Sequence, residues 1–295
     1  MAEPLSVAVR RGEIVESVHH VHAVAVRDGE VVAEAGDPAV LASLRSSAKP
    51  IQALPLACAR DDLGTEELAI AAASHFGTPM HVEAVRALLR ATGGSEGELE
   101  CGLQPGRPPE RVYHNCSGKH AAMLAVCRAR GWPVGGYFRA DHPLQRELLD
   151  VVAEAAAVAP EQVQTGIDGC GVLCFAIPLE RAAFAFSRFD GLDGGGRIAA
   201  AMRARPDLVG GEGGTDTELM LALPGWIAKG GAEGLMCAGS ADGLGLAVKV
   251  ADGNSRALRP ALAAFGEAFG LELPAFAEVP LENSRGEVAG RLAIL

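Results

Sequence analysis

The sequence predicts an α+β fold in which one antiparallel sheet is built from both ends of the chain and a helical lobe is inserted between them. Strand-like alternation is concentrated in about the first 40 residues and again at 234–250, while the segments between them carry helix start and stop signals. With 295 residues, 49% of them hydrophobic, the chain is long enough for a full-sized core. We therefore expect a single domain over residues 1–295, with a sheet lobe of about 1–60 and 221–295 and a helical lobe of about 61–220.

The strands are predicted from turn signals between apolar residues. Val21 and Ala23 alternate with polar residues ahead of Asp28-Gly29, a dipeptide typical of tight hairpins. A second hairpin is predicted for 234–238 and 244–250, which flank a turn that contains two glycines. Aromatic residues make up only 4% of the chain, so the packing should depend on close approach of small and aliphatic residues.

The helices are predicted from capping residues and stop signals. Thr65 and Ser117 are expected to cap helices, and Gly131 is expected to end one. The predicted helices begin after Thr65 and then run from Thr78-Pro79 to Leu89, from Ser117 to Arg130, from Leu144 to Ala157 after Asp141, and from Ser255 to Phe269.

Charge and composition exclude several classes of partner. A net charge of −11 argues against nucleic acid and anionic membranes, and no stretch approaches the roughly 20 apolar residues that span a bilayer. The seven cysteines are an odd number, and the first residues lack a secretory apolar region, so we expect a cytoplasmic protein. The glycine-rich runs at 194–196 and 210–214 do not fit a phosphate-binding loop, and no organic cofactor is expected.

The sharpest local motif is Ser46-Ser47-Ala48-Lys49, an S-x-x-K arrangement. Residues three apart share a face of a helix, so the Lys49 amine can reach the Ser46 hydroxyl and act as its base. The same tetrad occurs in serine β-lactamases and penicillin-binding proteins. On its own the motif is weak, because a solvated lysine on a capped helix is equally compatible with it.

Two further segments could contribute to the same chemistry. Ser74-His75 follows an apolar helical stretch, where a buried serine needs a hydrogen-bond partner. A local cap at the end of that helix would explain the serine equally well. Lys229 is followed by glycines just before a strand, as in the K-[TS]-G strand motif, although a plain turn lysine fits as well.

The densest polar cluster is the segment 114–120, His-Asn-Cys-Ser-Gly-Lys-His, directly before a helix. Together with Asp168-Gly169-Cys170 it could offer two sulfurs and a nitrogen to a soft metal such as zinc. The spacing is not that of a zinc finger, and from the residues alone buried structural cysteines are the simpler interpretation.

Taken in order, these segments resemble the asparaginase II family, the rhizobial-type L-asparaginases. The resemblance extends over about residues 16–256, and the segments at 114–120 and 168–172 are its most specific parts. The matching pieces are Glu16-Ser17, Gly36-Asp37, Arg45 to Pro50, Ala73 to His75, His114 to His120, His142 to Gln145, Asp168 to Val172, Asp216-Thr217 and Lys229 to Gly234.

The resemblance implies a fold like that of serine β-lactamases and class A glutaminases, and hydrolysis of L-asparagine to L-aspartate and ammonia through a serine acyl-enzyme. It implies two Ser-Lys pairs, Ser46 with Lys49 and Ser74 with Lys229. It also implies a homodimer. Near the substrate it implies Asp168, His120 and Arg45. Around one zinc ion per chain it implies Cys116, Lys119 and Cys170.

Several positions depart from the pattern of that family. Phe76 and Thr78 stand where polar residues are usual, Leu173-Cys174 replace a common Pro-Thr/Asn pair, and Gly214 stands where an arginine is frequent. The departures leave glutamine or another small amide as an alternative substrate, and a non-catalytic zinc- or amino-acid-binding homologue as an alternative function. A penicillin-recognising enzyme is a third possibility, which the cysteine cluster disfavours.

Overall fold

The computed structural model describes residues 2–295. The strands are β1 (Leu5–Arg11), β2 (Ile14–Arg27), β3 (Glu30–Ala35), β4 (Leu41–Ser43), β5 (Gln164–Ile167), β6 (Leu173–Pro178), β7 (Trp226–Gly231), β8 (Leu235–Ser240), β9 (Leu244–Val250), β10 (Val279–Glu282) and β11 (Val288–Ile294). The α-helices are α1 (Lys49–Gln52), α2 (Leu54–Ala59), α3 (Thr65–Ala71), α4 (Pro79–Ala91), α5 (Ser117–Arg130), α6 (Pro143–Ala156), α7 (Leu179–Ser187), α8 (Gly195–Ala204), α9 (Pro206–Val209), α10 (Thr215–Ala222), α11 (Leu258–Glu267) and α12 (Pro274–Ala277).

The main sheet is antiparallel and combines the two ends of the chain, as predicted. Its strand order is β10-β11-β1-β2-β9-β8-β7, and β3 pairs with the second half of the long strand β2. Val21 of β2 faces both Leu5 of β1 and Val250 of β9, so β2 joins the N-terminal strands to the C-terminal ones. Helices α1 to α10 lie between these two groups of strands in the sequence, whereas α11 and α12 lie between β9 and β10, and this arrangement confirms the α+β fold with inserted helices.

A second sheet, which the sequence analysis missed, has the order β4-β6-β5. Its strands are short, and β5 is exposed throughout, so it lacks the alternation that identifies a half-buried strand. This sheet lies next to the S-x-x-K motif, because the N–H of Leu44 donates to the carbonyl of Phe175 in β6 at 2.8 Å. The inserted region is therefore not purely helical.

The core depends on close approach of backbone segments, as the low aromatic content predicts. Helix α7 packs on β8 and β9 at two glycines. A Cβ atom at Gly239 would lie 2.1 Å from the carbonyl oxygen of Phe186, and one at Gly245 would lie 2.0 Å from that of Ala183. Any side chain at these positions would force the helix away from the sheet.

The helix boundaries agree with the predictions, but several capping assignments were wrong. Gly131 ends α5 with φ of 69°, as expected. Ser117, by contrast, is the first residue of α5, and its hydroxyl donates to the Val112 carbonyl instead of capping the helix. Helix α3 begins at Thr65 without a side-chain cap, and His142, not Asp141, caps α6. A tertiary contact thus replaced the cap at Ser117, a neighbouring residue replaced it at α6, and α3 has no side-chain cap.

The structure also bears on the membrane question. Among residues 2–295, no helix is long and apolar enough to cross a membrane.

Candidate active site

The S-x-x-K motif lies on a tight turn. Arg45–Ala48 form a 3-10 turn that continues directly into α1, so Ser46 and Lys49 lie on one face. Arg45 has φ of +46°, a left-handed conformation that is unfavourable for a long side chain. Ser46 is half-buried, and within residues 2–295 neither its hydroxyl nor its backbone N–H makes a hydrogen bond. Both groups are therefore free to meet a substrate.

Lys49 is fully buried, and its amine faces three oxygen atoms. Its Nζ lies 2.7 Å from the Ala73 carbonyl, 2.9 Å from the Ser74 hydroxyl and 3.3 Å from the Asn115 carbonyl. Burial lowers the pKa of Lys49 to about 8, and the charges of Lys119 and Lys229 act in the same direction. In the neutral amine the two carbonyls take the two N–H groups, so the lone pair points to Ser74.

Ser74 lies in the extended segment after α3, and its backbone is firmly held. Its N–H donates to the Val209 carbonyl at 2.8 Å. The next residue, His75, is buried, with Nε2 2.9 Å from the Ser117 hydroxyl and Nδ1 accepting from the N–H of Gly77. Because the Ser117 hydroxyl gives its proton to the Val112 carbonyl, His75 carries its proton on Nε2. Burial lowers the pKa of His75 well below its usual value, so the ring is a neutral anchor.

Lys229 on β7 is also buried, but it is paired with a carboxylate. Its Nζ lies 2.5 Å from Oδ2 of Asp216 at the start of α10. Burial alone raises the pKa of Asp216, but the charge and hydrogen bond of Lys229 and the N–H groups of Gly230 and Thr217 lower it overall. Within residues 2–295, Lys229 makes no hydrogen bond to Ser74. The direct Ser-Lys contact in the structure joins Lys49 to Ser74.

The strand β7 closes tightly on the turn that carries Ser46. The Ser47 hydroxyl donates to the Lys229 carbonyl at 2.8 Å. A Cβ atom at Gly231 would lie 2.6 Å from the Leu44 carbonyl oxygen, so only glycine allows this approach. The two motifs that are 180 residues apart in sequence are thereby held against each other.

Arg45 and Asp168, both predicted near the substrate, form an ion pair beside Ser46. The distance from Arg45 Nε to Asp168 Oδ1 is 2.8 Å, and the N–H of Gly169 donates to the same oxygen. Both side chains keep some exposure. A positive and a negative group are therefore available next to the free serine.

The three predicted metal ligands also come together. Nζ of Lys119 lies 3.1 Å from Sγ of Cys170, and the nearby Cys116 thiol donates to Oδ1 of Asn115 at 3.3 Å. The proximity of the two thiols lowers the pKa of Cys116, with help from the charges of Lys49 and Lys119, and raises the pKa of Cys170. Between residues 2 and 295 no three His, Cys, Asp or Glu side chains are placed to hold a metal, so any such site needs Lys119.

His120, predicted near the substrate, is fully buried behind this cluster. Its Nδ1 lies 2.7 Å from the hydroxyl of Tyr137, which also accepts the N–H of Glu100. Its Nε2 has no hydrogen-bond partner within the described part of the chain.

Two residues of the site received no role from the sequence. Asp216 belongs to a segment that supported the family resemblance, but nothing in its local sequence indicates that it faces Lys229. Tyr137 lies in an irregular loop with no motif around it. Only the tertiary structure identifies them as partners of Lys229 and His120.

The residues that depart from the family pattern lie in three places. Phe76 lies against the glycine-rich loop that contains Gly214. Leu173 is buried on β6, where its N–H donates to Gln145, and Cys174 follows it on the same strand. Thr78 is turned away from the site, with its hydroxyl against His81.

Solved structures of other proteins are similar to this fold. The structure of Mglu in its glutamate form matches with a TM-score of 0.51 and 13% identity, covering 86% of this chain and 61% of Mglu. Native Mglu matches with a TM-score of 0.49 and 15% identity, covering 86% of this chain and 66% of Mglu. A putative β-lactamase from Bacteroides dorei DSM 17855 matches with a TM-score of 0.45 and 14% identity, covering 83% of this chain and 92% of that protein. This chain thus spans about two thirds or less of the length of the Mglu structures.

The fold defines a class of protein, the α+β architecture that this chain shares with Mglu. The chain belongs to the L-asparaginase II family, whose model matches residues 7–294. No curated protein matches the chain in sequence. The family predicted from the motifs is confirmed.

Proposed function

We propose that this amidohydrolase is an L-asparaginase that hydrolyses L-asparagine through an acyl-enzyme on Ser46. The observation that carries the proposal is the buried Lys49 amine, 2.9 Å from the Ser74 hydroxyl and on the same turn as Ser46. A serine hydroxyl becomes a nucleophile only when a base removes its proton, and a lysine with a pKa of about 8 has a useful neutral fraction at pH 7.

In the first half of the reaction, the Lys49 lone pair turns from Ser74 to Ser46, Ser46 Oγ attacks the side-chain amide carbon, and the Ser46 proton passes to Lys49. The free N–H of Ser46 donates to the developing oxyanion. Ser74, hydrogen-bonded to Lys49, returns a proton to the leaving nitrogen. The carbon–nitrogen bond then breaks and ammonia departs.

In the second half, water attacks the acyl ester and Lys49 again takes the proton. Release of aspartate regenerates Ser46. Lys229 has a different role in this scheme: it forms an ion pair with Asp216 and supplies positive charge beside the turn. That charge favours the neutral form of Lys49 and the negative transition state.

The substrate's charged ends are assigned to the ion pair beside Ser46. Asp168 would receive the α-amino group and Arg45 the α-carboxylate, in each case exchanging part of an existing ion pair for a substrate contact. A free amino acid presents one group of each sign, which this pair matches. We place His120 behind this subsite as a buried support, since its ring is fully enclosed.

Zinc is proposed to bind at Cys116, Lys119 and Cys170. Two sulfurs and an amine nitrogen converge there, and these donors fit a soft divalent metal. When bound, the ion would supply positive charge that orients the substrate's carboxylate. Because the charged cysteine and carboxyl neighbours raise the pKa of Lys119 against the effect of burial, zinc binding should release protons.

Ammonia release from L-asparagine tests the function. The wild-type protein should turn over L-asparagine, and Ser46→Ala should abolish turnover, whereas Ser95→Ala on a surface turn should not. Comparing kcat/KM for asparagine, glutamine and simple amides decides among the close alternatives, because one methylene changes discrimination by about 1–3 kcal/mol. Robust turnover by Ser46→Ala would refute the nucleophile.

The remaining alternatives have separate readouts. Tight binding of zinc or asparagine without turnover would indicate a non-catalytic homologue. Covalent labelling by a β-lactam would indicate a penicillin-recognising enzyme. Metal analysis of Cys116→Ser beside the wild type tests the zinc site, and light scattering tests the predicted homodimer.

A further inference from the structure

Phe76 is an exposed aromatic residue beside the site, with 47% of its surface accessible. The N–H groups of Ser74 and Phe76 donate to the successive carbonyls of Val209 and Gly210. In extended backbone, side chains two residues apart point to the same side. His75 between them points into the interior, so Phe76 shares the face on which Ser74 meets Lys49.

The ring of Phe76 is supported from behind by the glycine-rich loop 210–214, in which Glu212 is the one residue with a side chain and is exposed. A Cβ atom at Gly211 would lie 2.6 Å from Cδ2 of Phe76, and one at Gly214 would lie 3.5 Å from Cζ. The same loop leads into Asp216, the partner of Lys229. One surface of the ring is thus fixed against the glycines, and the other is open to solvent.

The two cations next to this wall are already held by other groups. The Arg107 guanidinium is held by the carbonyls of His75 and Tyr113. Arg259 is held by the Gly213 carbonyl and by Glu218. The ring of Phe76 therefore offers an apolar surface close to Ser74, whereas the opposite-charge pair is formed by Arg45 and Asp168.

We propose that Phe76 determines specificity for the leaving group and that the enzyme prefers amides whose nitrogen carries an apolar substituent. This inference rests on the proposed function, in which Ser74 gives a proton to the leaving nitrogen. A substituent on that nitrogen then extends along the face that Ser74 and Phe76 share. The substrate class is N4-substituted asparagine, with an apolar group that packs on the ring.

The reaction is the same hydrolysis with a different amine. Ser46 Oγ forms a bond to the amide carbon, the carbon–nitrogen bond breaks, and the amine leaves with the proton from Ser74. Water then cleaves the ester to aspartate, so one water is consumed for each amide. No other reactant is needed.

The test compares N4-benzyl-L-asparagine with L-asparagine by release of benzylamine and ammonia. The wild type should show a kcat/KM about tenfold higher for the benzyl compound, since an aromatic contact contributes about 0.5–1.5 kcal/mol beyond its buried area. In Phe76→Ser the ratio of the two kcat/KM values should fall by about tenfold. Phe76→Leu, which keeps an apolar wall, should retain most of the ratio. Leu221→Ser, an exposed apolar residue on α10, should leave the ratio unchanged.

The outcomes separate this inference from the function on which it rests. If neither compound is hydrolysed, the proposed function itself fails. If asparagine is hydrolysed but the benzyl compound is not, or if Phe76→Ser leaves the ratio unchanged, the assignment of Phe76 is overturned while the asparaginase stands. Since the readout is a ratio within one folded preparation, a general loss of stability does not imitate the effect.

Discussion

Two buried lysines flank the proposed nucleophile, and they differ in the oxygen atoms around them. Lys49 faces two carbonyls and a hydroxyl, none of which is charged. Lys229 faces the carboxylate of Asp216 at 2.5 Å. A buried ammonium without a counter-charge loses its proton readily, whereas an ion pair holds the proton in place.

The difference assigns separate tasks to the two lysines. Lys49 is suited to accept and return a proton, because its pKa is lowered to about 8. Lys229 is suited to supply positive charge paired with Asp216, and that charge further lowers the pKa of Lys49. The position of one carboxylate, Asp216, therefore decides which of two similar residues can act as the base.

The largest expected effect is on catalysis at Lys49. Lys49→Met should lower kcat on L-asparagine by about 10³-fold, because general-base catalysis contributes about 10²–10⁴-fold. Some stability should also be lost, because the variant leaves the carbonyls of Ala73 and Asn115 without their buried hydrogen-bond partner, so kcat is measured where urea unfolding shows the variant to be folded. Lys49→Arg, which stays charged, should be equally inactive. A Lys49→Met protein that kept near-normal kcat would contradict the assignment of the base.

Asp216→Asn should instead act mainly on stability. Removing one partner of a buried ion pair costs about 3–5 kcal/mol, because the charge of Lys229 is then unpaired. Urea unfolding at pH 7 measures this loss. The double variant Asp216→Leu/Lys229→Met should regain much of it. If Asp216→Asn were as stable as the wild type, the two lysines would not differ as described.

The pH dependence of kcat/KM should report Lys49. The neutral amine is the active form, so activity should fall about tenfold per pH unit below a midpoint near pH 8 and level off above it. Initial rates at low substrate between pH 5.5 and about 9.5 measure this limb. A midpoint near pH 4 or 6 would indicate a carboxylate or a histidine as the base.

The smallest effect is expected at Ser47, which ties β7 to the turn. Ser47→Ala removes the hydrogen bond to the Lys229 carbonyl and should lower the free energy of unfolding by about 1 kcal/mol. Urea unfolding beside Ser284→Ala, where the lost hydroxyl is exposed, isolates the buried contribution. A loss no larger than that of Ser284→Ala would show that the contact does not hold the strand to the turn.

Much of the fold could be predicted because its elements carry local signals. Asp28-Gly29 marked the hairpin of β2 and β3, and Gly131 marked the end of α5. The short strands β5 and β6, and β10 and β11 near the C-terminus, were not predicted. Their pairing is set by distant partners, such as Leu292 of β11 against Val9 of β1, which no local pattern contains.

For the site, the sequence indicated which residues to examine but not how they pair. The motifs identified Ser46, Lys49, Ser74 and Lys229, and the structure brings their segments together. The pairing of Lys49 with Ser74, and of Lys229 with Asp216, depends on the relative positions of α3, α10 and β7. Hydrogen bonds between side chains so far apart in sequence leave no local signal.

The sequence by itself determined the family, the α+β class and the set of reactive residues, because turn chemistry, motif spacing and residue type are local properties. Only the tertiary structure decided which lysine lacks a counter-charge, that Arg45 pairs with Asp168, and that Phe76 forms an apolar wall beside Ser74. These facts depend on burial and on distances between segments, and both arise only when the sheet and the inserted helices pack together.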